Sequence, residues 1–347
     1  MQCEKKEAIR VAITGAAGQI GYAIQFRIAN GEMFGCDQPV IIQMLEYNAP
    51  GPLGAAEGVK MELIDCGYPL LEGVTVSGDP MEAFKDADYV IMIGGIPRKD
   101  GMTRADLLSV NGGLFKTQGE AIDKVAKKTV KVFVVANPAN TNCLICSEHA
   151  KSIPRENFMA MTALDHNRML GQLSQKLGIS TKNIHNIYIL GNHSSSMVPV
   201  TENGYIECPC TKGHVSIRDA LKKKCEMTDA QVDEYLVEFE KTVKERGAAI
   251  IKARGASSAG SAAKSAIDSV RRWHLGTKEG EVFSASILTS TTDNAYGVAP
   301  GVCCSFPVTI KDGKVSVAKF EHSEATMKGL EATKAELFNE RKMAGLE

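Results

Sequence analysis

Short apolar runs alternating with helical stretches through the first 135 residues constrain this chain more than any other feature. Strands are expected over residues 10–14, 40–46, 74–76, 89–93 and 130–135, with the clearest intervening helices over 55–65 and 107–127. The runs are mostly continuous, as strands covered on both faces by crossover helices should be. The expected class is therefore α/β, a doubly wound parallel sheet. Beyond about residue 157 the rhythm changes. A long amphipathic helix is expected over 164–177, then extended and turn-rich chain over 184–213. Helices follow over 229–246, 258–272 and 323–344, with strands near 282–288 and 302–308. This predicts residues 1–157 as one domain and 158–347 as a second, mixed α/β domain.

Charge narrows the partners. Lys and Arg (40) nearly cancel Asp and Glu (41), so no global field draws in a polyanion or an anionic bilayer, and neither nucleic acid nor membrane is an expected partner. The first residues are polar, with no secretory or transit pattern, and the expected location is cytoplasmic. Ten scattered Cys read as reduced thiols. Neither Cys208-Pro209-Cys210 nor Cys303-Cys304 has zinc-ligand spacing, so no metal site is expected.

Gly15-Ala16-Ala17-Gly18-Gln19-Ile20-Gly21 follows the first strand and opens a helix. Glycines there allow a tight turn and close approach of backbone to a pyrophosphate, whose charge the helix N-terminus favours. An ordinary strand-to-helix turn would look similar. Glu46 ends the second strand, where a carboxylate can accept hydrogen bonds from both ribose hydroxyls and repel a 2′-phosphate, which predicts NAD over NADP.

Three further segments carry chemistry. His193, in a polar turn after an apolar run, suits a general base whose proton affinity lies near neutrality. Asp165 would hold one imidazole tautomer. The neighbouring His166 is the other histidine to weigh, and on a helix it would point away. Arg168 lies three residues after Asp165, on the same helical face. Arg98 and Arg104 flank a Pro- and Gly-containing segment with the composition of a lid, able to close over an anion. Asn137, at the end of the fifth strand, can donate to a substrate oxygen.

Together these segments resemble the cytosolic-type malate dehydrogenases of the lactate and malate dehydrogenase superfamily. The likeness runs through the glycine loop, Pro97-Arg98 to Arg104, Asn137-Pro138-Ala139-Asn140-Thr141-Asn142-Cys143, Leu164-Asp165 to Arg168, and Gly191-Asn192-His193. It continues through Ser257-Ser258-Ala259, Asn294-Ala295-Tyr296-Gly297-Val298 and Ser305-Phe306-Pro307-Val308. The resemblance implies a Rossmann-type first domain and reversible, NAD-dependent oxidation of malate to oxaloacetate.

It also implies roles for individual residues. His193 would accept the proton with Asp165 as its partner. Arg168 would grip the C1 carboxylate, Arg98 the distal carboxylate, and Arg104 and Asn137 the reacting oxygen. Implied cofactor contacts are Gly15, Gly18, Gln19, Ile20, Gly21, Glu46, Asn111, Gln118, Val135 and Asn137. A homodimer packed through helices including residues 55–65 is implied as well. Two departures stand out: Glu46 replaces an Asp common in the family, and the 47–56 loop looks longer. Lactate dehydrogenase, another 2-hydroxy acid dehydrogenase, and a catalytically silent cofactor-binding module are the alternatives.

Overall fold

The computed structural model describes residues 6–96, 104–208, 213–291 and 296–346, excepting the side chains of Arg104, Ala105 and Leu107. Its first half runs β1 (Ile9–Thr14), α1 (Gln19–Ala29), β2 (Val40–Leu45), α2 (Pro50–Asp65), β3 (Leu71–Ser77), α3 (Pro80–Ala83), β4 (Tyr89–Met92), α4 (Arg104–Val125), β5 (Lys131–Val134), α5 (Ala139–His149) and β6 (Phe158–Met161). These strands pair in parallel in the order β6-β5-β4-β1-β2-β3. The order reverses between β1 and β4, and in such sheets that switch point opens the ligand crevice at the strands' carboxyl ends.

Period-two alternation explains the layers. Val11, Ile13, Ile91, Phe133 and Met159 enter one core, while Ala12, Val90, Val132 and Phe158 enter the other. Helices α1 and α9 cover the first face; α4 and α5 cover the second, where α9 is Gly260–Leu275. With apolar side chains on both faces, these strands have no solvent face to mark with polar residues.

The remaining elements are α6 (Ala163–Leu177), β7 (Ile184–His185), β8 (Tyr188–Leu190), β9 (Val198–Val200), β10 (Tyr205–Glu207), β11 (His214–Ser216), α7 (Ile217–Cys225), α8 (Asp229–Arg254), β12 (Phe283–Leu288), β13 (Cys303–Lys311), β14 (Lys314–Val317) and α10 (Glu324–Met343). Strands β12, β13 and β14 extend the large sheet beyond β6 in antiparallel fashion. The chain near residue 158, where the sequence changes rhythm, is thus the seam between parallel and antiparallel pairing. A third core gathers Met169 and Leu173 of α6, Leu221 of α7, and Val232 and Phe239 of α8.

The sequence reading left out α3, β6, α7 and β14, and three further differences have a plain physical cause. The 47–56 loop is mostly helix, because α2 starts at Pro50, and proline is tolerated in a helix's first turn, where its missing N–H has no intrahelical acceptor. Helix α8 runs through Gly247 to Arg254 and stops at Gly255, whose φ of 72° gives the left-handed cap. Helix α5 begins directly after Asn137-Pro138, which reads in sequence as a turn. Its flanks are buried nearly all round, so it has no amphipathic period to betray it.

Candidate active site

The crevice begins where the glycine loop meets the chain after β4. Gly15, at φ 63°, lies so close to Gly94 that a Cβ there would stand 2.7 Å from the Gly94 Cα. A Cβ on Gly21 would fall 2.4 Å from the Ala16 carbonyl oxygen, so the loop can close only without side chains at these points. Gly18 is the N-cap of α1 and has no side chain to offer, so the first-turn N–H groups of Gln19, Ile20 and Gly21 have neither an intrahelical acceptor nor a side-chain cap. Buried Gln25 fixes the loop from behind, donating to the carbonyls of Ala16 at 2.8 Å and Gly21 at 2.9 Å. This narrow, anion-favouring cradle fits a dinucleotide pyrophosphate.

Glu46 stands beside it, just past β2. One carboxylate oxygen accepts from the Ala17 N–H at 2.8 Å and the other from the Tyr47 N–H at 3.1 Å. A carboxylate has about four acceptor positions, so these bonds orient Glu46 while leaving capacity for ribose hydroxyls. Clasping the loop is a role the sequence did not suggest.

On the other side of the crevice, Val135 directly follows β5 and is buried, while Asn137 is exposed. Asn111, buried in α4, accepts from the Ile96 N–H at 2.8 Å and donates to the Asn137 carbonyl at 2.9 Å. Its amide therefore ties the chain after β4 to the chain after β5. Gln118 stands apart, two turns further along α4 and about 10 Å by helical rise from Asn111. It is buried, and the contacts described for the crevice do not include it.

The charged cluster lies where α6 follows β6. Asp165, in the first turn of α6, is fully buried, and the helix's positive end favours its charge. One carboxylate oxygen accepts from Arg168 Nη1 at 2.8 Å, and the other takes a short hydrogen bond from His193 Nδ1. A carboxylate only accepts, so Nδ1 carries the proton and Nε2 is the atom left for chemistry. The His193 N–H is held in turn by Asn140 Oδ1 at 3.0 Å. Among the described residues, the buried Nε of Arg168 has no hydrogen-bond partner. An arginine with one edge on Asp165 and another unspent is set to receive a carboxylate. Helix α8 passes over it, with the Cβ position of Gly247 3.6 Å from Nη2.

His166 is excluded from this cluster. Its Nδ1 meets the Ser284 hydroxyl at 3.1 Å on the far side of α6, and burial, aided by Arg272, lowers its pKa to about 3. The unfolded imidazole, near 6.5, therefore binds a proton that the folded one refuses, so this contribution to stability falls as pH drops from 6.5 towards 3. The slope contributed is up to about 1.4 kcal/mol per pH unit. We predict that between pH 7 and pH 5 wild type loses more Tm than His166→Asn; equal losses in the two proteins would refute this.

Arg98 lies outside the described residues, as does the side chain of Arg104, whose backbone opens α4. Asn140, Asn192 and Thr333 were missed in sequence because each acts through a partner distant in the chain, and Gln25 because its partners are backbone carbonyls, which no residue type marks. Asn140 alone gives a hint, sharing the Asn-Pro-Ala-Asn segment with Asn137.

Comparisons with known proteins agree with this geometry. The family model described as lactate/malate dehydrogenase, NAD binding domain, matches residues 9–159, and the α/β C-terminal domain of the same family matches residues 162–345. The chain is 45% identical over 340 residues to malate dehydrogenase 1, cytoplasmic, of Arabidopsis thaliana, covering 98% of each. A malate dehydrogenase structure from Naegleria fowleri superposes with a TM-score of 0.88 at 40% identity, covering 99% of both chains. A Trichomonas vaginalis lactate dehydrogenase in complex with NADH and oxamate gives 0.89 at 37% identity, covering 97% of this chain and 98% of that one. With both domain models matched and these identities spanning nearly its whole length, the chain belongs to the lactate/malate dehydrogenase family.

Proposed function

We propose that this protein is an NAD-dependent malate dehydrogenase, interconverting (S)-malate and oxaloacetate. The observation that carries the reading is the buried carboxylate of Asp165 shared between His193 and Arg168. That sharing sets a base and a carboxylate clamp side by side next to a dinucleotide cradle. Oxaloacetate formation from (S)-malate and NAD tests it, and no turnover would sink it.

NAD, when bound, supplies the nicotinamide carbon that accepts or returns the hydride. Glu46 would hold the ribose and the Gly15–Gly21 loop the pyrophosphate, with Asn111, Val135 and Asn137 shaping the nicotinamide end; Gln118, two turns away on α4, would reach the cofactor only through its neighbours. The Arg168 guanidinium grips the C1 carboxylate of malate, and Arg98 the distal one. His193 Nε2 takes the hydroxyl proton, while Asp165 stabilises the imidazolium that results. In the reverse direction His193 returns that proton, and Arg104 and Asn137 polarise the ketone oxygen. The Glu46 carboxylate faces the site a 2′-phosphate would occupy, so kcat/KM with NADH should exceed that with NADPH by at least about tenfold. Faster turnover with NADPH at equal concentration would refute the role of Glu46.

The Trichomonas relative favours lactate dehydrogenase as the second reading, with pyruvate as the oxo acid. The division of labour between residues 1–157 and 158–347, cofactor first and substrate second, follows the same proposal. A homodimer is part of it: exposed Met61 and Ile64 lie on α2 with Gly51, Gly54 and Gly58, whose Cβ positions meet open space. Such a face lets a second helix approach closely. A cytoplasmic location follows from likeness to the cytoplasmic relative.

A further inference from the structure

Beneath the His193 turn, α10 presents two carboxylates that the chemistry above does not use. Glu340, 1% exposed, accepts from the Thr141 hydroxyl and from Asn192 Nδ2 at 3.0 Å. Glu336 accepts from the same Nδ2 at 3.0 Å, from Ser194 Oγ at 2.5 Å and from Ser196 Oγ. One turn earlier, Thr333 Oγ1 accepts from the Asn192 N–H at 2.9 Å. Gly191, at φ 92°, presses so closely on Thr333 that a Cβ would stand 2.1 Å from its Cγ2.

The residues on both sides of His193 are thus seated on one helix. The grip extends to α5, where Thr141, bound to Glu340, follows the Asn140 that holds the His193 N–H. What carboxylates add is direction: they only accept, so each hydroxyl and amide hydrogen has one place to point. That fixes the Asn192 amide and, through it, the turn.

We propose that Glu340 and Glu336 are positioning residues for His193, setting the register at which its Nε2 meets substrate. The proposal rests on the reading of His193 as proton acceptor. It predicts damage to the chemical step with little effect on either binding event, because the cradle and Arg168 stand on other elements. A displacement of the base by an ångström can cost about a hundredfold in rate.

The test is steady-state kinetics with oxaloacetate and NADH, together with NADH titration by fluorescence, on Glu340→Ala, Glu340→Gln and Glu336→Ala. In Glu340→Ala, kcat is expected to fall about 10- to 100-fold, with KM within about threefold and NADH affinity within about twofold of wild type. Glu340→Gln, which keeps shape and one acceptor, should recover most of that loss. Should Glu340→Ala fail to fold, the half-buried Glu336→Ala carries the same expectation. The proposal is overturned if either folded alanine variant keeps kcat within twofold. It is also overturned if kcat, KM and NADH affinity deteriorate together and the Gln variant gives no rescue. Failure of wild type to reduce oxaloacetate would instead defeat the underlying reading.

Discussion

Replacing His193 by Asn should lower kcat for oxaloacetate reduction by about 10³-fold while leaving NADH affinity within about twofold of wild type. The asymmetry follows from where the groups sit. The cofactor cradle is built from the backbone of Gly15 to Gly21 with Gln25 and Glu46, all in the β1–α1 turn, on α1 or just past β2. His193 stands on the turn after β8 and touches that cradle nowhere among its described hydrogen bonds; its bonds run to Asp165 and Asn140. Asn can still donate to Asp165, so the buried carboxylate keeps partners and the fold should survive. What disappears is a group able to carry a proton near neutrality. A variant with kcat within about tenfold of wild type would remove His193 from the role of acid and base, and would revive the idea of a cofactor-binding module without catalysis.

Arg98→Gln should lower kcat/KM for oxaloacetate by the equivalent of about 2 to 5 kcal/mol, roughly 30- to several thousand-fold. The reason is electrostatic. Arg168 can grip one carboxylate, since Asp165 takes one edge of its guanidinium and leaves another free. A four-carbon diacid carries a second carboxylate, which in a closed, dry site needs its own cation. Pyruvate has no such group, so its kcat/KM should change little or rise, and selectivity should move towards it. A loss below about threefold with oxaloacetate would place Arg98 outside the site.

The parts of this site that were legible in the sequence share one property: their chemistry is announced locally. The glycine loop, Glu46, Asp165 and His193 each lie in polar turns or first helical turns at the ends of apolar strands, where a charged residue has few structural reasons to be. Asp165 and Arg168 are three residues apart, so helical spacing alone brings them together. The supporting residues are illegible for the opposite reason. Asn192 and Glu340 are 148 residues apart, and Asn140 reaches the Cys303 carbonyl across 163. Nothing in either neighbourhood marks such a pairing.

The same contrast holds for the fold. Continuous apolar runs marked five of the six strands of the parallel sheet, because each must present side chains to two cores; the four-residue β6 went unmarked. Such runs could not tell that β12 to β14 would continue that sheet beyond β6, since edge-to-edge pairing leaves no periodic trace in sequence. Gly247 and Pro50 misled in a similar way. Glycine suggests a helix's end and proline a loop, yet neighbouring helix formers carry α8 through the first, and the second simply begins α2.

The measurement that bears most directly on the central claim compares kcat/KM for oxaloacetate and pyruvate on the wild-type protein with NADH. A site with two carboxylate clamps and a His-Asp pair predicts a preference for oxaloacetate of at least about 30-fold, the value of one lost charge pair. Equal values, or a preference for pyruvate, would contradict the dicarboxylate assignment.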